Sequence, residues 1–232
     1  MAFEKLRSLL KELPLGRLPG WQLFVDGKEV GARVVELLSE YALFRWGFNG
    51  VYDTLGIEEP GGGGAVLVPY FVDADGMLWI GVVKQPRPYQ SEEPVLNLPR
   101  GFMNPGETHF ETAIREDSEE IGSGEESRIT LLDGEGGNPN STFFITVGTN
   151  ADGSLKGVRF YGVRFSKNEV ETLNGVVYRF REGVVSAVTL DAEKIMGTAF
   201  LPWTDVAQLG CLMSNAGVAR LTSMQALKKI AQ

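Results

Sequence analysis

Three glutamates lie close together in residues 101–122, which read GFMNPGETHFETAIREDSEEIG. Glu116, Glu119 and Glu120 are spaced so that they fall along one side of a helix, where like charges repel each other and destabilise it. Carboxylate oxygens are the ligands that magnesium and other hard cations prefer in proteins. The spacing therefore predicts a site for a divalent cation, and a solvated acidic helix face is the main alternative.

Local signals mark both ends of this helix. Thr108 and Glu111 form the capping-box pattern T-x-x-E, so the helix is predicted to begin at His109, and Gly122 suits the left-handed residue that ends a helix. The preceding loop, residues 101–106, is rich in turn-forming residues and can bring backbone carbonyls toward the same cation. A second side of the helix is apolar and is predicted to pack against the core: Phe110, Ala113, Ile114 and Ile121.

Two other polar residues need a separate interpretation. Asp117 projects among the apolar residues, and we expect it at the edge of the packed face, with a paired carboxylate or a part in the metal site as alternatives. His109 is the single histidine of the chain and falls in the first helical turn, where a polar side chain is usually solvated. No Ser/His/Asp arrangement can be assembled around it.

The whole stretch resembles the Nudix box, G-x5-E-x7-R-E-U-x-E-E-x-G-U, in which U is apolar. Two U positions depart from the pattern, since they hold Asp117 and Ser123. The resemblance implies that Glu107 and Arg115 join the loop to the helix through an ion pair. Seven fixed positions agree over 23 residues, which makes the match specific: Gly101, Glu107, Arg115, Glu116, Glu119, Glu120 and Gly122.

This resemblance implies an α/β/α sandwich around a mixed sheet and a magnesium- or manganese-dependent hydrolase of nucleoside diphosphates linked to another group. It implies that Glu116 and Glu120 are metal ligands and that Glu119 is a ligand or a supporting carboxylate, with Glu119 and Glu120 acting in catalysis. The carbonyl of Arg100 is a further possible ligand. Such metals polarise the pyrophosphate and lower the pKa of the attacking water.

Residues before the box resemble those of ADP-ribose and nucleotide-sugar pyrophosphatases. A Q-x-R element is present as Gln85 and Arg87, and L-P precedes the first box glycine as Leu98 and Pro99. Arg87 can contact a diphosphate through two nitrogens, although an exposed loop arginine is an equal alternative. Pro139, sixteen residues beyond the end of the box, matches a proline marker of that subgroup.

Other residues depart from the subgroup and leave the substrate open. Residues 140–143 lack the glutamate that often follows the proline, and residues 166–190 look like an additional strand-rich insertion. The subgroup takes its base from a late acidic loop, for which Asp191 or Glu193 is the local match, as base or extra ligand; acids that start a helix are the alternative. Reserve candidates for the base are Glu169 and Glu171.

Residues 1–60 are predicted to be an extension of a domain at 61–232, with the glycine run 61–64 as a flexible joint. The extension is expected to open with an amphipathic helix at 3–13 and to continue as a hairpin around Asp26 and Gly27, although residues 34–44 also suit a helix. In the resembling enzymes such an extension helps to form a homodimer and part of the substrate pocket.

The domain is predicted to be mixed α/β or α+β, because strands outnumber scattered helices. Helices are predicted near residues 204–209 and 218–230. Strands are predicted at residues 65–72, 77–84, 142–148, 158–165, 176–180, 184–190 and 199–201.

Composition narrows the classes of partner. The formal net charge of -8 comes without a long basic block, so capture of nucleic acid or of a membrane surface is not expected, and the expected partner is a small molecule. One cysteine, Cys211, excludes an internal disulfide and fits a reducing compartment. The N-terminus is not a secretory signal, so we expect a soluble cytoplasmic protein. The competing hypotheses are a binding module that senses a nucleotide without hydrolysis and a hydrolase of dinucleoside polyphosphates or other nucleotides.

Overall fold

The computed structural model describes residues 63–87, 91–132, 157–173, 177–184 and 197–230, and before them only the backbone of five short strands. Several sequence predictions lie outside the described residues and stay predictions. They are the opening helix at 3–13, the glycines at 61–62, Pro139, the strands at 142–148 and 185–190, and the two acids Asp191 and Glu193.

The strands of the N-terminal extension form two small antiparallel groups. β1 (Phe24–Val25) pairs with β2 (Lys28–Glu29), as the predicted hairpin requires. β3 (Val35–Leu38), β4 (Leu43–Phe48) and β5 (Asp53–Glu58) form a three-stranded sheet in chain order. Residues 35–38 and 43–48 are extended, so the alternative of a helix across residues 34–44 is wrong.

Nine strands of the described chain form one mixed sheet. Its main path has the order β10-β11-β6-β7-β14-β13-β12, and β8 and β9 pair with β7 and β6. The strands are β6 (Gly63–Val72), β7 (Leu78–Gln85), β8 (Val95–Asn97), β9 (Arg100–Phe102), β10 (Ile129–Leu131), β11 (Gly157–Arg164), β12 (Val170–Leu173), β13 (Val177–Phe180) and β14 (Gly197–Pro202).

The sheet divides between its two central strands. β6 and β7 pair where they are joined by a turn, from Tyr70 opposite Ile80 to Val72 opposite Leu78. Further along, β6 pairs with β9 and β7 pairs with β8 instead. The segment that carries the start of the box is thereby inserted between the two halves of the sheet.

Three α-helices accompany the sheet in the described residues. α1 (His109–Glu116) continues directly into a π-helical turn (Asp117–Ile121). α2 (Trp203–Val206) and α3 (Leu212–Ile230) follow β14. α2 is shorter than the predicted helix at 204–209, and α3 begins six residues before the predicted start at 218.

Helices cover both faces of the sheet. Alternate residues of a strand point to opposite faces, so neighbouring residues of β6 contact different helices. Val66 and Val68 face α3 through Val218 and Leu221. Leu67 and its alternate neighbours face α1. The buried residues of the α1 face are Ala65, Leu67, Phe71, Ala113, Ile121, Ile129, Tyr161, Val163, Phe165, Val170 and Phe200. The α/β/α sandwich predicted from the sequence is confirmed.

Gly63 and Gly64 are buried residues of β6, so the prediction of a flexible joint is wrong for the end of the glycine run. A Cβ atom on Gly64 would crowd the carbonyl oxygen of Gly101. This glycine therefore allows β6 and β9 to approach each other closely. In the part of the chain that the structure describes, no helix is long and apolar enough to cross a membrane.

Candidate functional site

The start of α1 is fixed by a reciprocal pair of hydrogen bonds. The N–H of Glu111 donates to Thr108 Oγ1 at 3.2 Å, and the N–H of Thr108 donates to Glu111 Oε2 at 2.8 Å. This capping box satisfies two backbone donors that a helix N-terminus otherwise leaves without partners. The predicted start of the helix at His109 is confirmed.

The other end of the helix is wider than an α-helix. The N–H of Gly122 donates to the carbonyl of Asp117, five residues earlier, at 2.7 Å, and Gly122 has the left-handed φ of 85° that the sequence predicted. A turn closed over five residues holds more residues than an α-turn. Glu119 and Glu120 therefore lie within a widened turn, and Glu116 directly precedes it.

Glu116 lies directly against the backbone of β9. Its residue is 6% exposed, and a Cβ atom on Gly101 would overlap its carboxylate. The first glycine of the box is thus explained by space, because any side chain at this position would displace the carboxylate. Arg115 Nη1 also donates to Glu116 Oε1, which partly balances its charge.

Glu120 contacts the same strand one residue earlier. The N–H of Arg100 donates to Glu120 Oε2 at 2.8 Å, and the residue is 4% exposed. The backbone of Pro99 and of Met103 is hydrogen-bonded to β6. Arg100 and Phe102 lie at the alternate positions of the strand. The peptide groups of Arg100 and Phe102 therefore turn away from β6, and the carbonyl of Arg100 faces the same side as its N–H.

Arg115 connects the glutamates to the loop before the helix. Its Nε donates to Glu107 Oε1 and its Nη1 to Glu119 Oε2, both at 3.0 Å, and its Nη2 donates to the carbonyl of Phe102 at 2.7 Å. Burial alone would lower the pKa of Arg115, but Glu107 and Glu116 outweigh it and raise this pKa further above its usual value. Glu119 is the outermost of the three helix glutamates, with 58% of its side chain exposed.

Glu107 is held as a carboxylate by the loop that it closes. The N–H of Asn104 and the Oγ1 of Thr112 each donate to Glu107 Oε2 at 2.9 Å. Burial acts to raise the pKa of Glu107, but the hydrogen bonds from Arg115, Asn104 and Thr112 outweigh it and lower this pKa to about 2. The loop before α1 therefore carries a charge at neutral pH that its own donors stabilise.

Asp117 does not lie at the edge of the packed face, so that prediction is wrong. It is completely buried, and its Oδ2 accepts hydrogen bonds from Ser123 Oγ and from the N–H of Gly124, the latter at 2.8 Å. Burial raises the pKa of Asp117 in spite of these donors. The weaker alternative, a paired carboxylate, is the one that the structure contains.

His109 is also buried, contrary to the expectation that it is solvated. Its Nε2 lies 2.8 Å from the carbonyl oxygen of Gly157, the first residue of β11. A carbonyl can only accept, so Nε2 carries the proton in this contact. His109 ties the start of α1 to the sheet, and this contact with a distant strand could not be read from local sequence.

The Q-x-R element forms a connected pair. Gln85, the last residue of β7, is 1% exposed, and its Oε1 accepts hydrogen bonds from Nε and Nη2 of Arg87, the first at 3.0 Å. β6 and β7 are antiparallel, so the end of β7 and the beginning of β6 lie at the same end of the sheet. The box loop lies at this end as well, because Phe102 pairs with Gly64.

The reserve candidates for the base are occupied elsewhere. Glu169 Oε1 pairs with Arg128 Nη1 at 2.7 Å, and Glu171 Oε1 pairs with Arg179 Nη2 at 2.8 Å. They lie at or just before β12, which is separated from β7 by β14 and β13. Each of these two acids is paired with an arginine that lies outside the box.

The donors around Glu116 fit a divalent cation in chemistry and in space. Glu116 and Glu120 present hard carboxylate oxygens to neighbouring residues of β9, and the missing side chain of Gly101 leaves the room that the Glu116 carboxylate fills. Glu119 stands further out with Arg115. Among the described residues, no three His, Cys, Asp or Glu side chains already converge as a metal site.

Residues 63–210 match the family model of the NUDIX domain. This match covers more than half of the chain, so the protein belongs to the NUDIX domain family. Membership implies a pyrophosphohydrolase, and Nudix hydrolases generally need divalent metal ions. No curated protein matches the sequence.

Three solved structures are similar to the chain at low sequence identity. One is the Ap4A hydrolase of C. elegans, at 16% identity over 71% of this chain and 97% of that one, with a TM-score of 0.43. A second is an ADP compounds hydrolase, at 12% identity over 93% and 97%, with a TM-score of 0.46. A third is the NUDIX domain of Shewanella oneidensis NrtR complexed with ADP ribose, at 16% identity over 70% and 87%, with a TM-score of 0.39.

Proposed function

We propose that the protein hydrolyses the pyrophosphate bond of a nucleoside diphosphate linked to a second group, with ADP-ribose or a nucleotide sugar as its preferred substrate and Mg²⁺ or Mn²⁺ as its metal. The observation that carries the proposal is the position of Glu116 and Glu120. Both carboxylates are buried against the backbone at Arg100 and Gly101. Burial of two charges is costly unless a positive group balances them.

The chain supplies the ligands and a cation beside them. Glu116, Glu120 and the carbonyl of Arg100 would hold the metal, while Arg115 donates hydrogen bonds to Glu116 and Glu119. A divalent metal bound there supplies charge that polarises the pyrophosphate and acidifies a water. Preorganised oxygens and donors of this kind need little rearrangement during the reaction.

A base is still needed to accept the proton of the attacking water. Glu119 is the most exposed of the three clustered glutamates and can act as this base or as an outer ligand. Asp191 and Glu193 remain our predictions for the base or for an extra ligand. They precede Gly197, which enters β14 beside Lys84 at the end of the sheet where the box loop lies.

Arg87 is proposed to bind the diphosphate. The buried amide oxygen of Gln85 accepts hydrogen bonds from two nitrogens of Arg87. These bonds orient the planar guanidinium before the substrate binds. A side chain that is ordered in advance loses less entropy when it binds an anion. Because the Gln85 end of β7 and the box loop share one end of the sheet, Arg87 can act on the same substrate as the glutamates.

The preference for a linked second group rests on the extension as well as on the Q-x-R element. We propose that residues 1–60 contribute to a homodimer and to the pocket around the groups on either side of the pyrophosphate. A nucleoside triphosphate has no second sugar for such a pocket to bind, so it gains less stabilisation in the transition state. The substrate is a small molecule, and neither nucleic acid nor a membrane takes part.

The experiment is a product assay with full-length protein, Mg²⁺ or Mn²⁺, and a panel of ADP-ribose, nucleotide sugars, dinucleoside polyphosphates and nucleoside triphosphates. We expect a nucleoside monophosphate and a sugar phosphate as products, separated by chromatography, with the highest kcat/KM for an ADP-ribose or nucleotide-sugar substrate. Equal or higher kcat/KM for triphosphates or dinucleoside polyphosphates would refute the substrate class. No cleavage of any compound with either metal would favour a nucleotide-sensing module.

A variant pair tests the role of Arg87 in the same assay. Arg87→Lys keeps the positive charge but loses the planar fork, so KM for the diphosphate substrate should rise about tenfold, equivalent to roughly 1.4 kcal/mol. Arg179→Lys, at the exposed pair with Glu171, is the matched control and should leave KM unchanged. An unchanged KM for Arg87→Lys would remove Arg87 from the substrate site.

A further inference from the structure

Three consecutive residues donate hydrogen bonds to one residue at the exit of the glutamate helix. The N–H of Gly122 donates to the carbonyl of Asp117 at 2.7 Å, Ser123 Oγ donates to Asp117 Oδ2, and the N–H of Gly124 donates to the same oxygen at 2.8 Å. We call these four residues the exit clasp. Its acceptor, Asp117, has no exposed surface.

The backbone around Ser123 is shaped for these contacts. Gly122 and Gly124 have left-handed φ angles of 85° and 60°, which residues with a Cβ adopt at a cost. Two such residues turn the chain back on itself, so that Ser123 and Gly124 face the π-helical turn that has just ended. Ser123 itself is half-buried.

The exit clasp encloses two of the three glutamates. Asp117 directly follows Glu116, and Glu119 and Glu120 lie between Asp117 and its three donors. The backbone of Glu119 and Glu120 is therefore held at both ends of a short closed loop. Glu120 must meet the N–H of Arg100 at 2.8 Å, which leaves little room for rotation of this turn.

The two side chains of the exit clasp occupy the two positions at which this sequence departs from the Nudix box. The pattern has apolar residues there, whereas this chain has Asp117 and Ser123, which contact each other. An apolar contact is non-directional, while a buried hydrogen bond fixes distance and angle. Without Ser123, the buried carboxylate of Asp117 would keep only the N–H of Gly124 as a donor, and an under-satisfied buried carboxylate is costly.

We infer that the hydrogen bond between Ser123 and the buried Asp117 is a positioning device that sets Glu119 and Glu120 for binding a divalent cation. The inference rests on the proposed function, because it assumes that the box glutamates bind metal. Ser123 and Asp117 act through the backbone of the turn and do not themselves bind the metal. Partners that orient metal ligands typically affect metal affinity by about 10- to 100-fold.

The test compares two serines of the same helix exit. Ser123→Ala removes the clasp donor, whereas Ser118→Ala removes a hydroxyl that donates to the carbonyl of Ile114 at 3.0 Å within the helix. Mn²⁺ affinity is measured by calorimetry on full-length protein without substrate, Tm is measured by thermal unfolding, and hydrogen exchange is followed at the amides of residues 119–121. Ser123→Ala should weaken Mn²⁺ binding about tenfold and speed exchange, while Ser118→Ala should change neither.

A further variant tests whether the hydroxyl itself is required. Ser123→Thr keeps the hydroxyl and should restore parental Mn²⁺ affinity. Parental affinity in Ser123→Ala, even with a lowered Tm, would show that the clasp only stabilises the fold and would overturn the inference.

Different results would refute the proposed function and the inference about the exit clasp. If the parent protein binds Mn²⁺ but cleaves no nucleotide derivative, the proposed function fails and Mn²⁺ affinity in Ser123→Ala still decides the inference. If the parent protein binds no Mn²⁺, the inference is overturned, because there is then no metal for Glu119 and Glu120 to hold.

Discussion

Glu116 and Glu120 differ from Glu119 in their exposure to solvent. The first two are buried against β9, while Glu119 extends outward and meets Arg115. Mutual repulsion and lost hydration make such a cluster unfavourable for folding alone. A bound cation would offset this cost, so substitutions that remove these charges test the site directly.

Replacement of Glu120 by Gln tests its role as a ligand. The amide oxygen of Gln can still accept the N–H of Arg100, so the fold should persist, but the negative charge that a hard cation needs is lost. We expect kcat to fall at least about 100-fold with Tm nearly unchanged. The matched control is Glu126→Gln in the exposed turn after the box, which should keep full activity. A parental rate for Glu120→Gln would show that Glu120 is not a metal ligand.

Glu107 should make the stability of the protein depend on acid pH. Its pKa is lowered in the fold from 4.5 to about 2, so it contributes stability that is fully present above about pH 4.5 and is lost as the pH falls toward 2. Glu107→Gln should lower the free energy of unfolding on the order of 2 kcal/mol at pH 7. This difference should shrink toward zero between pH 4.5 and 2 in urea titrations.

Glu92→Gln is the control for this pH series, because Glu92 is exposed and lies outside the Glu107 loop. It should follow the parent at every pH. A constant gap between the parent and Glu107→Gln across the acid range would contradict the assignment of the lowered pKa to Glu107.

At the scale of elements, the capping box and the left-handed Gly122 hold the glutamate helix between two fixed ends. Thr108→Ala removes the acceptor for the N–H of Glu111, and such changes typically cost about 1 kcal/mol of stability. We expect a loss of that size in urea unfolding, with Mn²⁺ affinity little changed, because the glutamates lie at the other end of the helix. Thr222→Ala, whose hydroxyl bonds within α3, is the control and should cost less. If both variants lose the same stability, the Thr108 cap contributes no more than an ordinary hydroxyl hydrogen bond within a helix.

The parts that sequence could predict are those set by neighbours along the chain. The start at His109 and the end at Gly122 follow from residues within four positions of each terminus. β8 and β9 are only three residues each and occupy the division of the sheet, so no periodic pattern reveals them. They depend on pairing with strands that are distant in sequence, and so does the close contact between Gly101 and Glu116.

The burial of His109 and Asp117 is a second feature that depends on residues distant in the fold. Both residues are polar, and polarity alone favours exposure. Tertiary partners reverse that preference, because Gly157 supplies a carbonyl to His109 and the chain after the helix turns back to Asp117. The signal that was available for Asp117 was the second departure at Ser123, since two polar residues at paired apolar positions can satisfy each other.

At the scale of the whole molecule, the extension contains a small sheet that is separate from the nine-stranded one. β3, β4 and β5 have four to six residues each. Three short strands are close to the minimum for independent stability, so packing against a further surface would stabilise this sheet. We propose that a second copy of the chain provides that surface, which makes the protein a homodimer through residues 1–60.

Light scattering of the full chain and of a shortened chain that begins at Gly61 tests this arrangement. The full chain should have about twice the mass of one copy across micromolar concentrations, because a symmetric interface repeats every contact and is favoured for soluble oligomers. The shortened chain, with its fold checked by circular dichroism, should be a monomer. If it closes the substrate pocket less well, its KM for the diphosphate substrate should also rise, while Mn²⁺ affinity at the box stays the same. A monomeric full chain, or a shortened chain that remains dimeric, would show that the extension does not join two copies.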